Sequence, residues 1–308
     1  MTDTLKKFMF EHAGVRGELV ELRDTWQQMV ARADYPPAVR TLLGQLMSAA
    51  ALLSANLKFD GTMIMQIHGD GPVKLMVVEC DADLRMRGTA KLREGVQISD
   101  QATLHDLIHA HGQGRFAITL DPNNKVPGQQ AYQGIVPLDG DSIATIIENY
   151  MQRSEQLDTK LWLAADHHVS RGMLLQKLPK TGGSEAQVED ELEAWNHAVM
   201  LGDTLKTDEL LSTDIDTLMH RLFWEQTLRV FEPLRPRFHC TCTREKVGNM
   251  LKMLGTEEVE AALTEQGRLD IHCDFCGKHY GFDPVDCAQL FMAASTAEGI
   301  STAADTRH

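Results

Sequence analysis

The chain has 308 residues, 43% hydrophobic and 24% charged, with 44 acidic against 30 basic side chains and a formal net charge of −14. This length suits about two domains with buried cores, and the acidic balance excludes affinity driven by phosphate contacts, so nucleic acid is not an expected partner. The apolar run after Lys6 and Lys7 breaks at Glu11, unlike a secretory signal, and the uncharged segment 41–57 falls short of the ~20 apolar residues of a membrane span. The expectation is a cytoplasmic protein with no membrane association.

The first elements mix types. "VRGELVEL" is dense in β-formers but alternates imperfectly. "VRTLLGQLMSAAALLSANL", after Pro36 and Pro37, reads as a long buried helix, and "GTMIMQIHGDGPVKLMVVEC" as two strands joined at Gly69–Pro72. Further strands are expected at "GRFAITL", "AYQGIVPL" and "TKLWLAA", with a helix at "DSIATIIENYMQRSEQ" capped by Asp141 or Ser142. Strand hairpins separated by helices, without regular βαβ alternation, predict an α+β fold with antiparallel sheets for a mixed α/β core domain over 1–180. "LPKTGGS" (178–184) marks its end.

From Ser184 to Asp216 there are ten acidic residues against the single Lys206. Val188, Leu192, Trp195 and Val199 nonetheless follow helical spacing, as do Ile215, Leu218, Met219, Leu222 and Phe223. A solvated charged face is one reading; the other is a helical linker (181–237) that lies on the core domain and undocks easily. A last small unit, 238–292, contains two helices, "TREKVGNMLKML" and "TEEVEAALTEQ", separated by Gly255 with Thr256 as a new N-cap. The tail 293–308 is small and polar, and is expected to be disordered.

Five of the six cysteines lie in that unit, four of them in two close pairs, Cys240-x-Cys242 and Cys273-x-x-Cys276, with thirty residues between the pairs. In a reducing compartment such pairs are metal ligands or redox groups more often than permanent disulfides. Two close pairs brought together build a four-thiolate zinc site, one Zn2+ per chain. His239 and His272 each precede a cysteine and are alternative ligands. A unit of 55 residues with few large apolar side chains cannot rest on its core alone, so loss of zinc should unfold it. Residues i and i+2 of an extended strand lie about 6.6 Å apart, at the edge of disulfide reach, so Cys240 can pair with Cys242, and Cys273 with Cys276 across its turn. A closed zinc ribbon that never oxidises is the competing reading.

These cysteine pairs, together with "VRGELVEL", "GDGPV", "YQGIVPLDGDSIATIIENYMQRSEQLDT" and "RGMLLQKLP", resemble the redox-regulated holdase family of heat shock protein 33, over nearly the whole chain. The resemblance implies a core domain, a helical linker and a zinc-binding redox domain. It implies that Cys240, Cys242, Cys273 and Cys276 ligate zinc in an inactive reduced form. Oxidation to the disulfides Cys240–Cys242 and Cys273–Cys276 would release zinc, unfold the C-terminal domain and linker, and promote a homodimer that binds unfolding client proteins without ATP. The chain is then not an enzyme. The alternatives are a thiol oxidoreductase, a zinc hydrolase, or a redox-sensing zinc regulator.

Other features carry less. Cys80 is expected to be an inert buried thiol and Cys287 small packing. "HDLIHAH" places His105 and His109 at i, i+4, but Asp106 stands where a metalloprotease needs Glu. His167 and His168, read on a strand, would point to opposite faces. "GDGP" reads as a turn, and the methionines as core.

Overall fold

The computed structural model describes residues 3–11, 13–57, 59–124, 130–178 and 185–301. The chain divides into two units between His239 and Cys240. In chain order, the first contains β1 (Thr4–Phe10), β2 (Val15–Leu22), α1 (Asp24–Val30), α2 (Pro37–Ser54), β3 (Gly61–His68), β4 (Val73–Asp81), β5 (Arg85–Leu92) and α3 (Leu104–Ile108). These are followed by β6 (Arg115–Pro122), β7 (Tyr132–Val136), α4 (Ile143–Ser154), β8 (Thr159–Ala165), β9 (Ser170–Lys177), α5 (Glu185–Gly202), α6 (Thr207–Ser212), α7 (Ile215–Phe223), β10 (Leu228–Val230) and β11 (Arg237–Phe238).

Two sheets result, one in the order β10-β1-β2-β9-β8 and one in the order β11-β5-β4-β3-β6-β7. All neighbouring strands are antiparallel except β11, which runs parallel to β5. The α+β expectation holds. The uncharged segment 41–57 forms most of α2, which begins at Pro37 because proline tolerates the first helical turn. Apolar nearly all round, α2 buries thirteen of its eighteen residues and touches strands of both sheets. Ser142 caps α4 by accepting from the Thr145 amide. His167 and His168 lie in the turn between β8 and β9 and not on a strand, because Asp166 Oδ1 accepts from the amides of His168 and Val169 and turns the chain.

The acidic helices are docked. Trp195 and Ala198 of α5, Leu210 of α6, and Ile215, Leu218, Leu222 and Phe223 of α7 share a core with Phe8, Phe10, Leu19, Met173 and Leu175 on the face of the five-stranded sheet that points away from α2. Glu189, Asp190, Glu193, Asp208 and Asp216 are exposed, which is how an acidic composition coexists with burial, while Leu192, expected on the apolar face of its helix, is exposed too. Residues 228–238 then pair with β1 through β10 and with β5 through β11, covering one edge of each sheet. Residues 179–184, most of the boundary read at "LPKTGGS", lie outside the described residues.

The second unit contains α8 (Arg244–Leu254), α9 (Thr256–Gln266), β12 (Leu269–His272), β13 (His279–Phe282) and α10 (Pro284–Ser301). Its buried core is small: Leu251, Val259, Leu269, Tyr280, Phe282 and Cys287. Gly255, at φ 99°, occupies the N-cap of α9, and Thr256 is the first helical residue rather than the cap. The segment expected to be disordered from 293 instead continues α10 to Ser301, which the alanine-rich stretch favours; residues 302–308 lie outside the described residues.

Candidate metal centre

Cys240 and Cys242 stand on the extended segment that follows β11, and Thr243 ends it by capping α8, its hydroxyl accepting from the Lys246 amide at 3.2 Å. Cys273 and Cys276 stand on the turn between β12 and β13. That turn is fixed by Cys273 N donating to Lys278 O at 3.0 Å and Gly277 N to Cys273 O at 2.8 Å. Gly277 takes φ 69°, the left-handed region where a side chain would be strained, so this glycine is required by the turn.

The two segments bring the four sulfurs together, each half-buried and all within 4.8 Å of one another. The Cys240–Cys273 sulfurs are 3.7 Å apart and the Cys242–Cys276 sulfurs 3.2 Å apart, so both contacts join the CxC pair to the CxxC pair. A tetrahedral ion with metal–sulfur bonds of about 2.3 Å places its sulfurs about 3.8 Å apart. The donor set therefore fits one metal ion. Among the described residues this is the one group of three or more possible ligands so clustered; His239 and His272 are not in it. All six cysteines are free thiols.

The electrostatics of the four are uneven. Burial pushes Cys242 up, but hydrogen bonds from Tyr280 Oη at 3.1 Å and from the thiols around it outweigh that and bring it down to about 7. Burial pushes Cys276 up to about 12, reinforced by its bond to Cys242, and raises Cys273 as well. One thiolate is thus favoured and its neighbours resist joining it, as expected of clustered anions that await a cation. Tyr280 reaches Cys242 from β13, whose orientation is set by pairing with β12, so its role as a donor to sulfur rests on a strand pair that no local sequence signal marks.

Arg244 fastens the unit. Its guanidinium stacks 4.1 Å from the centre of the Phe282 ring, donates to Gly281 O and pairs with Asp286 at 2.8 Å. Cys287 packs in the small core, its thiol raised by burial and by Asp286 and Asp283. Cys80 is buried on β4 and pushed up to about 12 by burial, so it is a poor nucleophile. The His105 and His109 rings lie 5.7 Å apart, while Asp106 is committed to a capping box with Thr103 and is no general base.

The family model described as Hsp33 protein matches residues 3–283. The chain belongs to the Hsp33 family. It is 46% identical over 312 residues to the 33 kDa chaperonin of Methylobacillus flagellatus, covering 100% of this chain and 99% of that one. It is 46% identical over 306 residues to the 33 kDa chaperonin of Chromobacterium violaceum, covering 99% and 98%. The fold matches the crystal structure of the 33 kDa chaperonin (heat shock protein 33 homolog) from Thermotoga maritima with a TM-score of 0.76 at 21% identity, covering 95% of this chain and 99% of that chain. As a member of the Hsp33 family the chain is a chaperone, and its site is a four-cysteine cluster suited to a metal ion and to thiol redox chemistry. No helix among the described residues is long and apolar enough to cross a membrane.

Proposed function

We propose that the chain is a redox-controlled, ATP-independent holdase of the cytoplasm, kept inactive when Cys240, Cys242, Cys273 and Cys276 hold one zinc ion. The observation that carries this reading is the convergence of four thiols, two from each of two segments, all within 4.8 Å of one another. A sulfur in a disulfide is no longer a thiolate donor, so ligation of one ion by all four and oxidation of either pair exclude one another.

When bound, zinc supplies a cross-link between the CxC and CxxC segments, worth about 10–16 kcal/mol of apparent folding free energy in comparable sites. Peroxide takes two electrons from the Cys240 and Cys242 thiolates and, with two protons, becomes water as the S–S bond forms. A second equivalent does the same at Cys273 and Cys276. Each disulfide withdraws two of the four donors. The core around Leu251, Tyr280 and Phe282 is then too small to keep the second unit folded.

The consequence reaches the first unit along the chain, since Phe238 of β11 lies two residues before Cys240. Loss of the ordered C-terminal segment loosens residues 228–238 and the helices before them. Undocking exposes the apolar face made by Phe8, Phe10, Leu19, Met173 and Leu175, together with the helices' own apolar residues. A continuous surface of that kind suits unfolding client proteins and a second copy of the chain, giving an active homodimer.

The test measures zinc content and suppression of client aggregation together, before and after peroxide or hypochlorite under mildly unfolding conditions. The expected result is one zinc per chain and no suppression before oxidation, with zinc release and suppression after it. Equal suppression by the reduced zinc form overturns the switch.

A further inference from the structure

The five-stranded sheet turns a polar patch toward its otherwise apolar interior. On β2, Arg16 and Glu18 share a face with Val20 and Leu22, while Lys7 of β1 stands opposite Glu18 and Gln176 of β9 opposite Arg16. Lys7 Nζ donates to Ala55 O beyond the end of α2 and lies 4.0 Å from Glu18 Oε1. Arg16 donates from Nε to Gln176 Oε1 at 3.0 Å and from Nη2 to the same oxygen, and Gln176 Nε2 donates to Thr159 Oγ1 at 2.7 Å. The third guanidinium nitrogen of Arg16, Nη1, makes no hydrogen bond among the described residues, and the charge acting on the guanidinium is that of Glu18.

Arg16 and Gln176 form one wall of a cavity of about 230 Å3. Leu53 and Leu57 at the end of α2, Met63, Ile118 and Leu120 of the six-stranded sheet, and Leu157 make most of the remainder apolar. The one carboxylate on the lining, Glu155, is engaged by Tyr150 Oη at 3.1 Å. Glu18, two residues from Arg16 on the same face, is buried and shared between Lys7 and Arg16, and burial pushes its carboxyl up to about 7, so it is an incomplete counter-ion. The cavity thus pairs an apolar body with one guanidinium whose counter-charge, the buried Glu18, is shared with Lys7, a geometry that accepts a planar carboxylate. At about 30 Å3 per water-sized group its volume suits roughly eight such groups.

We propose that this cavity binds a short apolar monocarboxylate of about the size of octanoate, its carboxylate on Arg16 Nη1 and its chain against Leu57, Ile118 and Leu120. The site belongs wholly to the first unit and does not depend on the cysteine switch.

Calorimetric titration of the full, reduced, zinc-loaded chain with octanoate and with octanol tests it. Octanoate is expected to bind saturably at one per chain, and octanol at least tenfold more weakly. Arg16→Met should lower octanoate affinity at least tenfold, to the level of octanol, and Leu120→Trp should abolish binding of both by filling the cavity. Equal binding of octanoate and octanol to the unaltered chain, or no saturation by octanoate, overturns the proposal, and that comparison requires no variant to fold. Octanoate affinity unchanged in Arg16→Met would overturn it also.

Discussion

Tyr280 Oη donates to Cys242 Sγ across 3.1 Å, and the same ring is buried in the small core of the second unit. One residue thus joins the packing of the unit to the charge state of its sulfur cluster. Hydrogen bonds to ligating atoms commonly set metal affinity by about 10- to 100-fold. Tyr280→Phe keeps the ring and removes the donor, so it should retain the fold and hold zinc about tenfold less tightly. Competition with a coloured chelator measures this, and the same variant should release zinc at lower peroxide. Unchanged zinc affinity would show that the hydroxyl is incidental.

Phe223 at the end of α7 sits edge-on to Phe10, ring centres 5.2 Å apart, and 5.6 Å from Phe8. It is the largest fully buried side chain that the acidic helices contribute to the sheet. Truncating a buried aromatic costs about 3–5 kcal/mol. In Phe223→Ala that loss falls on docking of the helices more than on the two-sheet core around α2. Reduced Phe223→Ala should therefore be cleaved by protease between 190 and 225 at a rate at which the parent chain is intact. It should also bind a hydrophobic dye and partly suppress client aggregation without oxidant. A variant with raised protease sensitivity but no client binding would separate undocking from activity.

Arg171 provides a second hold on the same helices. It is fully buried on β9, pairs with Glu21 on β2, and donates to the carbonyls of Leu210 and Thr213, where α6 ends and exposes its last acceptors. Breaking a buried charged pair from one side costs about 3–5 kcal/mol, because the partner charge stays behind. Arg171→Met should release the segment 204–214 first, as faster amide exchange there than in β1 or β2. The double variant Arg171→Met, Glu21→Gln should recover part of the loss. Equal exchange in the parent chain and Arg171→Met would deny Arg171 this role.

What the sequence made legible follows from how local each signal is. β8, α2, α4 and α8 announce themselves through alternation, a proline start or a capping hydroxyl, and α9 through the glycine that separates it from α8; all stand close to where the residues put them. The four cysteines were readable because a four-thiolate site requires little beyond two close pairs. Non-local features were not readable. β10 and β11 are three and two residues long and exist only because sheet edges receive them. The docking of the acidic helices depends on which face of β1, β2 and β9 is left open. Arg171 is a charge set at the start of an otherwise apolar run, but its acceptors lie about forty residues away, so no local signal announces its role. The Asp166 turn interrupts a run that otherwise reads as strand, so the sequence alone puts His167 and His168 on a strand that they do not occupy.

Glu18 makes a pH prediction for the first unit. Burial raises its carboxyl from 4.5 to about 7, against the pull of Lys7, Arg16 and Asn56. The unfolded chain ionises Glu18 freely above 4.5, while the folded chain holds the proton up to about 7, so the folded state binds more protons in that window. Its contribution to stability is fully present below 4.5 and is lost as pH rises through 7, the opposite of an ion-paired carboxylate. The shift corresponds to about 3 kcal/mol at alkaline pH. Glu18→Gln removes the ionisation, so it should match the parent chain near pH 4 and exceed its stability by about 3 kcal/mol at pH 9. All four tryptophans, Trp26, Trp162, Trp195 and Trp224, lie in the first unit, so urea unfolding followed by tryptophan fluorescence reports on this unit alone. Parallel pH profiles for the two chains would show that Glu18 is ionised in the folded state and that Lys7 and Arg16 compensate its burial fully.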